Sequence, residues 1–260
     1  MLAFSAVDEE KKIGTVTINR PEALNALNLA TAQALQNAFA PLQKRLDLRC
    51  VVIKGNGPAF MAGGDVGAFA HDFSTTDQLI NGLLDALCPV VEFIYSAPFP
   101  VVACVHGAVA GAGLSLMAAC DLAFACENTK FLLAYDKVGA PPDCGGSFFL
   151  PQVVGRRRAA SLMYMSEAWS SPRALENGLI NKIVSESDFE KQCHQLVAKI
   201  AEGPTSAYAA YKKLVNNEPN TLKERLKQER LAFCAATKTQ DFQAGVSAFI
   251  DKTQPNYPGK

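Results

Sequence analysis

Val101-Val-Ala-Cys-Val-His-Gly-Ala-Val-Ala-Gly-Ala-Gly113, running on into Leu114-Ser-Leu-Met-Ala-Ala119, is the stretch that decides the fold. Its first five residues are apolar and rich in valine, as in a strand buried on both faces. Pro98-Phe-Pro100 breaks the chain before it, and the glycines after it suit a tight turn. Residues 114–119 then read as a buried helix. An earlier stretch repeats this order. Residues 50–54 read as a strand, Gly63-Gly-Asp65 as a turn and residues 75–96 as a helix, interrupted or kinked near Pro89. Strand, small-residue turn and helix, met twice, is the pattern of a stacked repeating unit, though two divergent copies do not fix a period.

Working outward, residues 13–18 alternate and are β-branched, so they read as a strand. Residues 19–22 form a turn. Apolar residues at helical spacing (Leu24, Leu27, Leu35, Phe39, Leu42) predict a helix over 23–46, with Asn28 and Thr31 as caps. Residues 122–126 give another strand. Residues 98–150 hold only six charged side chains, which makes them the core. After about residue 186 the chain turns charged and helical, with breaks at Pro204 and Pro219. The expected organisation is therefore 1–185 as the core with the ligand site and 186–260 as a helical region. Helices such as 221–238 would cover a neighbouring subunit.

Of 260 residues, 25 are Lys or Arg and 25 are Asp or Glu, so the formal net charge is zero. Such a balance argues against a nucleic-acid partner. With 49% hydrophobic and 19% charged residues the chain is globular and not disordered. No run of about 18 apolar residues lacks a charge or a breaker, so no membrane span is expected. The start has no basic segment leading into a long apolar run, so no secretory signal is expected and the cytoplasm is the expected location. The eight cysteines form no CxxC pair and read as reduced thiols, mostly buried. His71, His106 and His194 lack metal-ligand spacing, so no metal is expected.

Three chemistries compete for the glycine turns. A phosphate loop needs Gly-Lys-Ser or Gly-Lys-Thr, and neither occurs. A dinucleotide fingerprint fails at Leu116, where its third glycine would stand. The remaining reading is an oxyanion site, in which N–H groups from Gly63-Gly64 and Ala112-Gly113 converge on one carbonyl oxygen. Plain tight turns would serve the same glycines equally well. Asp143, in Gly139-Ala-Pro-Pro-Asp143, is a lone carboxylate in an apolar segment. It suits a general acid or base, or the N-cap of the helix that follows. Asp65 suits a cap or a ligand contact, and Asp121 a structural hydrogen bond. Arg156-Arg-Arg158 suits a solvated face. Ser115 lacks the GxSxG setting of a hydrolase nucleophile.

Taken in order, several segments resemble the crotonase (enoyl-CoA hydratase/isomerase) superfamily. They are Asn19-Arg-Pro-Glu-Ala-Leu-Asn-Ala-Leu27, Ala59-Phe-Met-Ala-Gly-Gly-Asp65, Gly107-Ala-Val-Ala-Gly-Ala-Gly113, Ala119-Cys-Asp-Leu-Ala-Phe-Ala125, Leu150-Pro-Gln-Val-Val-Gly155 and Ala174-Leu-Glu-Asn-Gly-Leu-Ile180. Pro142-Asp-Cys-Gly-Gly-Ser147 and the tail from Gly245 look most like the phenylacetate-pathway branch that isomerises ring-derived epoxyacyl-CoA. The resemblance implies an α/β spiral of ββα units with a helical C-terminal region used in trimerisation, as a trimer or a dimer of trimers. It implies an acyl-CoA thioester ligand, with coenzyme A as part of the substrate and no separate cofactor. The two oxyanion donors fall on Gly64 and on Ala112, where the family usually has glycine. Coenzyme A contacts fall on Ala62, Asp65 and, loosely, Lys252. The acyl pocket falls among Ser115, Tyr135, Leu87 and Phe148.

The family's hydratases carry two glutamates, at the positions held here by Ser115 and Tyr135. Its isomerases carry one carboxylate, at the position of Asp143. Its dehalogenases pair that Asp with a histidine near the position of Cys88. The resemblance therefore implies a double-bond isomerase with Asp143 as proton shuttle. The alternatives are a hydratase with an atypical acid–base set and a non-catalytic subunit that binds acyl-CoA.

Overall fold

In the computed structural model, residues 1–70, 72–217, 219 and 221–260 are described. β1 (Ala3–Asp8) pairs antiparallel with β2 (Ile13–Ile18), and α1 (Leu29–Gln43) packs against this hairpin. β3 (Cys50–Gly55) adds to β2 in parallel. The single turn α2 (Val66–Phe69) leads to the long α3 (Thr76–Ser96), which lies along α1. β4 (Val101–Val105) adds to β3, and the chain then leaves this sheet for β5 (Ala108–Ala110) and α4 (Ala112–Ala119). The excursion repeats: β6 (Leu122–Cys126) joins β4, and β7 (Lys130–Leu132) joins β5. α5 (Gly146–Val154), α6 (Arg156–Tyr164), β8 (Ala168–Ser170), α7 (Ser171–Glu176) and β9 (Lys182–Val184) complete the core. α8 (Phe189–Ala201), α9 (Thr205–Asn216), α10 (Leu222–Ala236) and α11 (Gln240–Asp251) follow.

The strands form two sheets, β1-β2-β3-β4-β6-β9 and β5-β7-β8. A bridge from Met61 to Val109 extends the smaller sheet, so the stretch after β3 makes the same excursion as those after β4 and β6. This is the spiral of ββα units expected from the sequence. Alternation explains why the central strands are apolar throughout. Val51, Ile53, Val101, Ala103 and Val105 point to the face packed by α1, α3 and α4. Cys50, Val52, Val102, Cys104 and Phe124 point to the other face, which Cys193, Val197 and Ala201 of α8 cover. The helical end of the chain thus divides. α8 belongs to the packing of the sheet, whereas α9 packs on α3, and α10 and α11 pack on α9. Leu222, Leu226, Leu231 and Phe233 of α10 and Phe249 and Ile250 of α11 are exposed in the single chain.

α3 is long and apolar enough, by length and composition alone, to cross a membrane. Its Leu83, Ala86, Leu87, Val90 and Ile94 are buried in the protein. It runs through Pro89 without interruption. All eight cysteines are free; Cys88 and Cys234 are exposed.

The helix expected from residue 23 begins at Leu29 instead, capped by Asn28, whose side chain accepts from the Thr31 N–H. Leu24 and Asn25 are left-handed, with φ of 51° and 59°. Asn25 is fully buried and makes the turn worth that conformation. Its Oδ1 accepts from Arg20 N at 2.7 Å, and its Nδ2 donates to Asn56 O at 2.9 Å and Ala59 O at 2.7 Å. Asn25→Ala strands these buried groups and should lower unfolding free energy by about 2–3 kcal/mol. Urea denaturation reads this directly; an unchanged midpoint would show that the turn does not depend on Asn25.

Candidate functional site

The two glycine turns meet main chain to main chain. Met61 N donates to Ala108 O at 3.1 Å and Ala110 N to Met61 O at 2.9 Å. Gly63 and Gly111 have φ of 98° and 51°. A Cβ on Gly111 would lie 3.3 Å from Gly63 Cα, and one on Gly63 3.2 Å from Ala110 O. Glycine is needed at both for conformation and for close approach. Leu27 braces the first turn: its N–H donates to Gly63 O, and its carbonyl accepts from Asp65 N, each at 2.8 Å. Gly111 N donates to Leu132 O at 3.0 Å and braces the second. Among the described residues, neither the Gly64 nor the Ala112 N–H has a hydrogen-bond partner. Ala112 opens α4, where the first N–H groups lack intrahelical acceptors. Two free donors held on adjoining turns are the elements of an oxyanion site.

One turn of α4 further on, Ser115 is fully buried. Its Oγ lies 3.4 Å from the Tyr135 hydroxyl, and that hydroxyl donates to Asp143 Oδ1. Left-handed Ala134 and Gly139 bracket the short turn that carries Tyr135. The cap expected of Asp143 is not formed. Cys144 and Gly145 are both left-handed, with φ of 49° and 80°, so α5 starts only at Gly146 and Gly145 takes the cap position. The Asp143 carboxylate is thereby turned to Tyr135. Burial first, and the Asp143 charge second, push the Tyr135 phenol well above its ordinary range. It remains a protonated donor at neutral pH. The same two causes raise the Cys144 thiol. The Asp143 charge also contributes to raising Cys88 on α3, behind burial, Glu92 and Asp85.

Gly64, Ala112, Ser115, Tyr135 and Asp143 thus belong to one contiguous arrangement. Ala62 and Asp65 flank Gly64. The Ala62 N–H donates to Leu24 O at 3.0 Å. Asp65 precedes α2 without capping it, and its carboxylate binds Arg20 Nη1 at 2.7 Å. Leu87 is buried in α3 beside Cys88. Phe148 is 49% exposed, its ring against Tyr95 and Phe149. Lys252 ends α11, which packs on α9. His71 lies outside the described residues. Sequence reading took residues 19–22 only as a turn and so missed Arg20 as the partner of Asp65. Phe69 has its ring over the Gly64 turn: a Cβ on Gly64 would lie 2.8 Å from its Cζ. A cavity of about 530 Å³ opens elsewhere, bounded by Tyr95, Phe149, Tyr208 and Lys212, and none of the five site residues lines it.

The family model described as Enoyl-CoA hydratase/isomerase matches residues 8–260. A "Probable enoyl-CoA hydratase" of Rhodobacter capsulatus is 34% identical, over 95% of each chain. The "1,2-epoxyphenylacetyl-CoA isomerase" of Escherichia coli is 33% identical over the full length of both. Among solved structures, an enoyl-CoA hydratase from Polaromonas superposes with a TM-score of 0.90 at 31% identity, over 98% of this chain and 99% of the other.

The phenol offers a check of the site geometry. In an ultraviolet titration of the six tyrosines, Tyr208, raised by burial, should titrate late and Tyr135 last, staying protonated well into the alkaline range. Asp143→Asn should bring that phenol down part of the way, because it removes the charge and leaves the burial. Tyr135→Phe should delete the last step and leave that of Tyr208; persistence of the last step in that variant would assign it elsewhere.

Proposed function

This chain belongs to the enoyl-CoA hydratase/isomerase family, and we propose that its own reaction is a double-bond shift in an unsaturated acyl-CoA thioester. The observation that carries this reading is the acid set: one carboxylate, Asp143, hydrogen-bonded to a phenol kept protonated by its surroundings. Adding water takes one group to activate the water and another to deliver a proton. Moving a double bond takes a single base that gives back what it removes.

The thioester oxygen accepts from the Gly64 and Ala112 N–H groups. Asp143 removes a proton from C2, and the C–H electron pair moves toward the carbonyl to give a dienolate. The two N–H donors stabilise its oxyanion. Asp143, now a carboxylic acid, delivers the proton to C4. A C2=C3 bond has formed, the C3=C4 bond is gone, and no water or electron is exchanged. Coenzyme A enters as part of the substrate, with Ala62 and Asp65 beside the oxyanion turn. Leu87 of α3 is proposed for the acyl side. The exposed apolar residues of α10 and α11 support a trimer closed over these faces. A hydratase reading, with Asp143 taking a proton from water as its oxygen adds to C3 and Tyr135 or Ser115 assisting delivery of a proton to C2, takes its support from the hydratase names among the relatives.

Asp143→Asn should lower the appearance of conjugated-thioester absorbance from a 3-enoyl-CoA by about 10²–10⁴-fold. Binding of a saturated acyl-CoA should change little. Retained turnover would sink the assignment of the base. Ala112→Pro removes one donor at the first helical position, where proline is tolerated. It should cost about 10²–10³-fold in kcat with the circular dichroism spectrum preserved. Crotonyl-CoA hydration at a rate matching or exceeding the isomerisation would favour the hydratase reading instead.

A further inference from the structure

We infer that Ser115 and Tyr135 form a dry backing to Asp143, so that the proton taken from C2 returns to the same substrate molecule instead of exchanging with water. This rests on the isomerase reading above. Tyr135 OH occupies Asp143 Oδ1, and the Cys144 thiol, itself kept protonated, also bonds the carboxylate, so neither neighbour takes a proton from it. Behind the phenol, Ser115 is fully buried and Tyr135 nearly so, at 8% exposure. The packing there is tight. A Cβ on Gly146 would lie 2.3 Å from Ser115 Oγ and 3.3 Å from Pro142 Cβ. A water molecule needs room as well as polar partners, and the packing on this side of the carboxylate leaves it no room.

The hydroxyl chain also leads nowhere. From Asp143 it runs to Tyr135, then to Ser115, then to Gly111 O at 3.5 Å. That carbonyl already accepts from Leu114 N and Ser115 N and does not hold a proton at neutral pH. Tyr135 already carries its own proton. A proton on Asp143 therefore has one productive destination, the substrate carbon, and the acyl group covers the open side. Tyr135 and Ser115 act through Asp143, as positioning residues.

The test is conversion of a 3-enoyl-CoA in deuterium oxide, stopped at low conversion, with deuterium at C4 of the product measured by mass spectrometry and NMR. The wild-type protein should place well under one deuteron there per product molecule. Tyr135→Phe keeps the ring, frees Oδ1 and leaves room for water. It should raise incorporation severalfold, lower kcat, and leave KM nearly unchanged. Ser115→Gly, which opens the cavity while keeping the phenol, should raise incorporation by a smaller factor. Full deuterium incorporation by the wild type, or the same incorporation in wild type and both variants, would overturn the dry-backing inference alone. Absence of any double-bond shift by the wild type would overturn the isomerase reading and this inference with it.

Discussion

Everything at the site depends on how closely two stretches of main chain approach each other. Gly63 and Gly111 pass with no side chain between them, locked by hydrogen bonds on either side of Met61. A Cβ at Gly111, 3.3 Å from Gly63 Cα and at a left-handed φ of 51°, would force the two turns to give by a few tenths of an ångström. The approach has a cost. A sheltered N–H without an acceptor loses about 1–3 kcal/mol relative to one that is bonded. The protein leaves these donors unsatisfied and holds them through their neighbours: Leu27, Leu132 and the first turn of α4. Preorganised donors of this kind lose nothing to reorientation when charge develops on the ligand oxygen.

The spiral sets where the second half of the site can stand. Each unit sends one strand to each sheet, so β5 and β7 lie side by side and the segments leaving them are neighbours. α4 leaves β5 and brings Ser115. The turn after β7 brings Tyr135, and its continuation brings Asp143. Relatives with hydratase and isomerase names match nearly all of this chain, so the fold does not choose the chemistry, and under the proposed reading the side chains at these three positions do. Here they are two hydroxyls and one carboxylate. Burial and the carboxylate charge act on the phenol in the same direction, and the result is a donor that keeps its proton at neutral pH.

Much of the fold was legible because the central strands are buried on both faces. Residues 50–54, 101–105 and 122–126 are apolar runs too short for helices, and each became a strand. β5, β7, β8 and β9 are three residues long and carry no periodicity to detect, and β1 alternates with one face open to solvent. Leu24 and Leu27 fit a helical spacing, but the hydrogen bonds of Asn25 outweigh that propensity. Preceding a helix, Asp143 suited an N-cap as well as an acid–base role. The left-handed backbone at Cys144 and Gly145, which decides the matter, leaves no trace in an apolar pattern. Nor does the contact of Tyr135 with Asp143, eight residues on, which exists only because Ala134 and Gly139 are left-handed.

The charged helical end also reaches the site, from behind. Lys212 of α9 is 7% exposed, and its Nζ donates to Ile94 O and binds Asp121 Oδ2, each at 2.7 Å. Asp121 in turn accepts from Val101 N at 2.7 Å. Burial lifts the Asp121 carboxyl above its ordinary range and the lysine opposes that, so the pair stands or falls together. One side chain thereby ties the end of α3, the start of β4 and the corner between α4 and β6. α3 carries Leu87 and Cys88, β4 leads to the second glycine turn, and α4 carries Ala112 and Ser115. A change in α9 that loosened Lys212 would reach Ala112, Ser115 and the second glycine turn through these elements, without altering any of those residues.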